Sequence, residues 1–194
     1  MVQFPVVNED TSFEEFQGML PEELSNFPED VLRQWVYRHG KGDGDVISAL
    51  NILPGISEWQ FHLVEMTNAE IESIRHYEYD ESKLFPKGNW WLGSGRHNAP
   101  EFCDYMMEHG TYPVPIIVAK NASSHNHPIL DFRYPGHDGP MLEPFHLLEG
   151  NRRFALLRAM IKNGTAGLKD MHDVWLVTMP ESDKETKRMV GKCR

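Results

Sequence analysis

The chain has 194 residues, 40% of them hydrophobic and 25% charged, and a formal net charge of −10. That composition suits one globular domain with an extension and excludes a disordered protein. No apolar run nears the roughly 20 residues that a bilayer crossing needs, and an acidic surface disfavours long contacts with a nucleic-acid backbone.

The opening stretch, "MVQFPVVNEDTSFEEF", lacks the basic-then-apolar pattern of a secretory leader. The two cysteines, Cys103 and Cys193, form no CxxC or metal-finger spacing, so a cytoplasmic protein with reduced thiols is expected. The first third reads as helical. In residues 27–40, Pro28 and two acids stand in the first turn, and Val31, Leu32, Trp35 and Val36 recur at helical spacing before Gly40. Trp35 and Trp59 are expected in the core. From Trp59, "WQFHLVEM" predicts a strand and "TNAEIESIRHY" a helix, with Thr67 and Glu70 as a capping box and Ile71 and Ile74 facing inward. "FPKGNWWLGSGRHNAP" reads as a glycine-rich loop. Asn98 then caps a helix that runs to Gly110. Short strands follow at "YPVPIIVAK", "HPILDF", "PFHLLE" and "HDVWLVTM", with one helix between the last two. The order predicts a compact α+β (α/β) domain. Expected boundaries are a helical N-terminal extension over 1–58, the domain over 59–180, and a polar tail over 181–194.

The stretch with most chemistry is "FHLLEGNRRFALLRAMIK", a strand, a glycine turn, then a helix. Arg152 and Arg153 fall in the helix's first turn, where the macrodipole already carries about half a positive elementary charge. Gly150 and Asn151 can offer backbone N–H groups to an anion, and the two guanidinium groups can add forked, charge-assisted hydrogen bonds. A bound phosphate would remove the conflict with the dipole. The competing explanation is that both arginines point outward and pair with acids such as Glu143 or Glu149.

At Gly150-Asn151-Arg152-Arg153-Phe154-Ala155 the sequence resembles the "GERRxRA" motif of ParB proteins, in the ParB/sulfiredoxin-like superfamily. Upstream, "EFCDYMMEHGTYPVPIIVAKN" resembles that family's helix, glycine and "P-I-x-V" strand, and "VWLVTM" its closing strand. The resemblance covers roughly residues 59–180. It implies a small mixed sheet with flanking helices that binds a nucleoside triphosphate, CTP or ATP, with Mg2+. The phosphates would rest on the helix that begins at Asn151. Three features depart from the family. Asn151 replaces ParB's motif glutamate, no cysteine occupies the glycine turn as it does in sulfiredoxin, and neither the "NPxQPR" box nor a following helix-turn-helix is recognisable.

Glu149, beside the glycine, is the candidate catalytic carboxylate, and Glu149 with Asp131 the candidate magnesium ligands. Ser94 and Arg96, in "WWLGSGRHN", are further candidate nucleotide contacts, weighed against a tight turn in which Trp90 and Trp91 cover the core. Arg158 is expected on a salted helix face. His125, His127, His137 and His172 make no HExxH pattern and are expected in solvated loops. The expectation is therefore a nucleotide-binding protein, with hydrolysis or phosphoryl transfer as a further possibility. The alternative is a non-enzymatic plasmid- or phage-associated regulatory protein that retains the fold and has a protein partner. A DNA-binding partition protein comes third.

Overall fold

The computed structural model describes residues 3–42, 50, 55–76, 81–121, 128–130, 138–140 and 142–178. The chain divides into two compact units, one of Met1–Phe61, Asn121–Met141 and Val177–Arg194, the other of His62–Lys120 and Leu142–Leu176.

In the first unit, α1 (Phe13–Met19) starts on a capping box. Ser12 accepts from the Glu15 N–H, and the Glu15 carboxylate accepts from the Ser12 N–H at 2.7 Å. A longer helical stretch, α2, follows as Glu29–Val31, Leu32–Tyr37 and Arg38–Gly42, with the middle segment wound as π-helix. It runs two residues past the expected stop at Gly40. Aromatic edges hold this unit together: Phe13 meets Tyr37 at 5.2 Å and Phe4 meets Phe27 at 5.2 Å. Trp35 and Trp59 are buried, as expected. Asn26 joins the N-terminal helices to the segment before β1, donating to the carbonyls of Ile56 and Trp59. The pair β4 (Pro128–Leu130) and β5 (Asp138–Pro140) forms a separate two-stranded sheet, so the described part of the expected "HPILDF" strand, Pro128–Leu130, joins a small ribbon and not the main sheet.

The second unit is α+β, a five-stranded mixed sheet with flanking helices. Its strands are β1 (Gln60–Thr67), β2 (Ile74–Arg75), β3 (Ile116–Lys120), β6 (Phe145–Glu149) and β7 (Met171–Thr178), in the order β1-β7-β3-β6-β2. Four residues at the outer ends of β1 and β7 fall in the first unit. β2 runs parallel to β6, and β3 antiparallel to it. The register of β3 against β6 slips between Ile117 and Val118, so Ile117 faces Glu149 while Val118 faces Leu147. A bulge of this kind bends a strand locally, and here it lies directly before Gly150.

The helices are α3 (Asn68–Ser73), α4 (Glu81–Leu92), α5 (Pro100–His109) and α6 (Asn151–Lys162). The Thr67–Glu70 capping box forms as expected, and Ile71 and Ile74 are buried. α5 starts from Ala99, because the Asn98 side chain instead donates to the Gly95 carbonyl. α6 is buried continuously from Arg153 to Met160. A helix buried on all sides must be covered on both flanks. One cover is α4, and it corrects the expectation of a glycine-rich loop.

The signals read as loop, Pro86 and Gly88, lie inside α4. A proline inside a helix costs about 3 kcal/mol, and the burial of Leu84 and Trp91 offsets it. Gly88 is where α4 touches α6: a Cβ there would stand 2.1 Å from the Ala155 carbonyl oxygen and 2.7 Å from the Ala159 Cβ. The glycine marks close helix packing, not a turn. The shared core of this unit includes Met66, Ile71, Leu84, Cys103, Met106, Ile116, Leu147, Phe154 and Val174. Among the described residues no helix is long and apolar enough to cross a membrane.

Candidate functional site

Gly150 separates β6 from α6 with φ of 106°, a left-handed conformation that favours glycine. Space demands glycine as well, because a Cβ would lie 2.7 Å from Ile116 Cγ2 and 3.1 Å from the Arg153 guanidinium. The Phe154 N–H donates to the Gly150 carbonyl at 2.9 Å, which closes the first turn. No side chain caps the helix, and Asn151 stands at its first position. The backbone N–H groups of Asn151 and Arg152 precede Phe154 at the positive end of α6.

The two arginines diverge. Arg153 is buried: its Nη1 donates to the Val114 carbonyl at 2.9 Å and the Pro115 carbonyl at 3.3 Å, and its Nη2 lies 3.7 Å from Glu149 Oε1. Protein carbonyls and a carboxylate thus supply the negative partners that the sequence reading assigned to phosphate. Neither outward pairing nor a shared clamp describes this residue. Arg152 is exposed, with its guanidinium 5.7 Å from the ring centre of Trp91.

Ser94 and Arg96 follow α4 in a turn. Ser94 is exposed, and Gly95 lies so close to the Trp90 ring that a Cβ would stand 2.4 Å from it. Trp90 in turn meets Trp91 edge-on at 4.7 Å. The tryptophan pair therefore links the Ser94 turn to Arg152, which the sequence alone did not predict. Trp91 is buried and Trp90 is 44% exposed, so only the first covers the core. Arg96 is drawn the other way, its Nε donating to Asp104 Oδ1 at 2.6 Å.

Glu149 is buried beside Arg153. Asp131 lies outside the described residues, as do His125, His127, His137 and Cys193. Among the described residues no three His, Cys, Asp or Glu side chains group to hold a metal ion. Glu149, turned toward a guanidinium, does not by itself fit a magnesium ligand set.

Arg158 and His172 differ from expectation. Arg158 is buried and not on a salted face; it donates to the Glu72 carbonyl and lies near the Phe154 ring. His172 is buried and not in a solvated loop, with Nδ1 paired to Thr111 Oγ1 at 2.8 Å and Nε2 to Asn68 Oδ1 at 2.9 Å. Burial pushes its pKa down, with Lys169 acting in the same direction. Nearby, Tyr112 donates to the Asp173 carbonyl at 2.7 Å, and burial pushes its phenol far up against the opposing pull of Arg153. No family model, curated protein or solved structure matches the chain.

Proposed function

We propose that the chain is a cytoplasmic, ParB/sulfiredoxin-like nucleotide-binding protein that holds a nucleoside triphosphate, CTP or ATP, at the start of α6. The observation that carries this reading is the uncapped first turn of a twelve-residue helix beside an exposed, aromatic-backed arginine. The N–H groups of Asn151 and Arg152 would donate to phosphate oxygens, and the Arg152 side chain would supply the forked, charge-assisted bond. The half-exposed ring of Trp90 offers a stacking face for a base, with Ser94 on the same turn. Arg153 is a positioning residue here, since it pins the Val114–Pro115 segment against the glycine turn.

Binding without turnover is favoured over hydrolysis or phosphoryl transfer by one contact. Glu149, the carboxylate next to the glycine, faces the Arg153 guanidinium, and a general base must instead reach the proton it takes. This supports a regulatory protein whose nucleotide controls an interaction with a protein partner. If magnesium accompanies the nucleotide, the phosphates would provide most of its ligands.

Calorimetric titration of CTP and ATP, with and without magnesium, tests the reading. One nucleotide should bind saturably, and Arg152→Ala should weaken it about tenfold or more, because a charge-assisted hydrogen bond contributes roughly 1.5–3 kcal/mol. Equal affinity in the parent and Arg152→Ala would remove the phosphate assignment.

A further inference from the structure

A second concavity in the same unit has the opposite electrostatic character. It encloses about 590 Å3 and is lined by Tyr105, Thr111, Tyr112, Pro113, Pro115, Leu168, Met171 and four charged residues. Small-ligand sites span about 300–1,000 Å3, so the volume suits an organic molecule. Among the described residues the charged lining is Glu65, Asp170 and Asp173 against the cation Lys169. None of the three carboxylates makes an ion pair with a described residue.

Two other polar groups of the wall are already engaged within the protein. The Thr111 hydroxyl pairs with His172, and the Tyr112 hydroxyl donates to the Asp173 backbone carbonyl, leaving that residue's carboxylate unused. The wall is also held in place, because Arg153 fastens the Pro115 carbonyl from behind. What the cavity offers a ligand is therefore negative charge, the half-exposed ring of Tyr105, and the apolar faces of two prolines, Leu168 and Met171. Three carboxylates in one concavity would also attract a metal. These do not converge: among the described residues no group of three acids, histidines or cysteines is placed to hold one ion. Spread charge on a partly aromatic wall matches a spread cation.

We propose that this cavity binds an extended organic cation, an amine or guanidinium carried on a short aliphatic body. Phosphates are repelled by three carboxylates against one ammonium, so the site is separate from the α6 turn and does not rest on the nucleotide reading. The carboxylates take the charged head, and the part of the Tyr105 ring left open by its contact with His109 at 4.1 Å adds an aromatic wall for it.

The test is calorimetric titration of the full chain with agmatine and with spermidine, with calcium chloride and ATP as contrasting solutes. At least one of the two organic cations should bind saturably. The double change Glu65→Gln and Asp173→Asn should weaken it by about tenfold or more and leave the melting temperature unchanged, since both side chains are exposed. Lys169→Glu should tighten it by reversing the cationic charge on the wall. The proposal fails if neither cation saturates at millimolar concentration. It also fails if the double variant binds as tightly as the parent, or if calcium competes at equal or lower concentration.

Discussion

Arg152 and Arg153 are chemically identical neighbours, and the backbone sends them to opposite fates. Successive residues of a helix lie about 100° apart, so one faces the Val114–Pro115 segment and Glu149 and the other faces solvent. Arg153 → Ala removes two carbonyl partners and leaves Glu149 buried beside a void. Losses of this type cost about 2–4 kcal/mol, and urea denaturation should show a stability loss of that size. Arg152→Ala loses an exposed cation–π contact of about 0.5–1 kcal/mol and relieves a dipole conflict of about 0.3–1 kcal/mol. Those opposed effects leave its stability within about 0.5 kcal/mol of the parent. Equal losses for the two variants would contradict the divergent placement. The strand, Gly150 and the helix that follows stand where the sequence places them. The sequence could not tell the arginines apart, because the carbonyls that capture Arg153 arrive from Val114 and Pro115, nearly forty positions earlier in the chain.

Helices and strands with local determinants were legible, and those defined by distant packing were not. The Thr67–Glu70 box, Pro100 at the start of α5, Gly110 at its end and the apolar strand "FHLLE" all carry their signals within a few residues, and each stands where expected. Helix α4 was missed because Gly88 and Pro86 are punctuation marks when read locally, whereas the reason for Gly88 is the backbone of α6, 67 residues later. That difference has a measurable sign. In an open helix, glycine to alanine stabilises by about 0.5–1 kcal/mol. Gly18, in α1 with nothing within 4 Å of an added Cβ, should follow that rule. Gly88→Ala should do the reverse, losing about 1–3 kcal/mol or more by overpacking, because the obstructing atom is a backbone carbonyl that cannot swing away. Thermal denaturation of the two variants decides it: a Gly88→Ala protein as stable as the parent would mean that α4 does not pack so closely on α6.

At the scale of the whole molecule, two electrostatic effects oppose each other as the pH falls. Mild acid reduces the net charge of −10, and relief of self-repulsion alone would stabilise the folded chain. The buried histidines act in the other direction. Burial lowers the pKa of His146 from 6.5 to about 4, and its Nδ1 accepts the Leu142 N–H at 3.3 Å, a role that only an unprotonated nitrogen can fill. His172 is lowered too, burial being the chief cause. A folded pKa below the unfolded value means that the unfolded chain binds more protons between the two. The stabilisation from a neutral His146 is thus fully present above about pH 6.5 and is lost as the pH falls toward 4. Between pH 7 and pH 5 that loss amounts to about 2 kcal/mol for His146 alone. Glu15 and Glu70, whose pKa values are lowered by their caps, titrate below this window and do not obscure it. The urea stability at pH 5 should therefore be lower than at pH 7 despite the smaller net charge. His146→Gln, which keeps an acceptor and removes the titration, should flatten the difference by about 2 kcal/mol. A parent protein as stable at pH 5 as at pH 7 would show that charge relief wins and that His146 does not stay neutral in the folded chain.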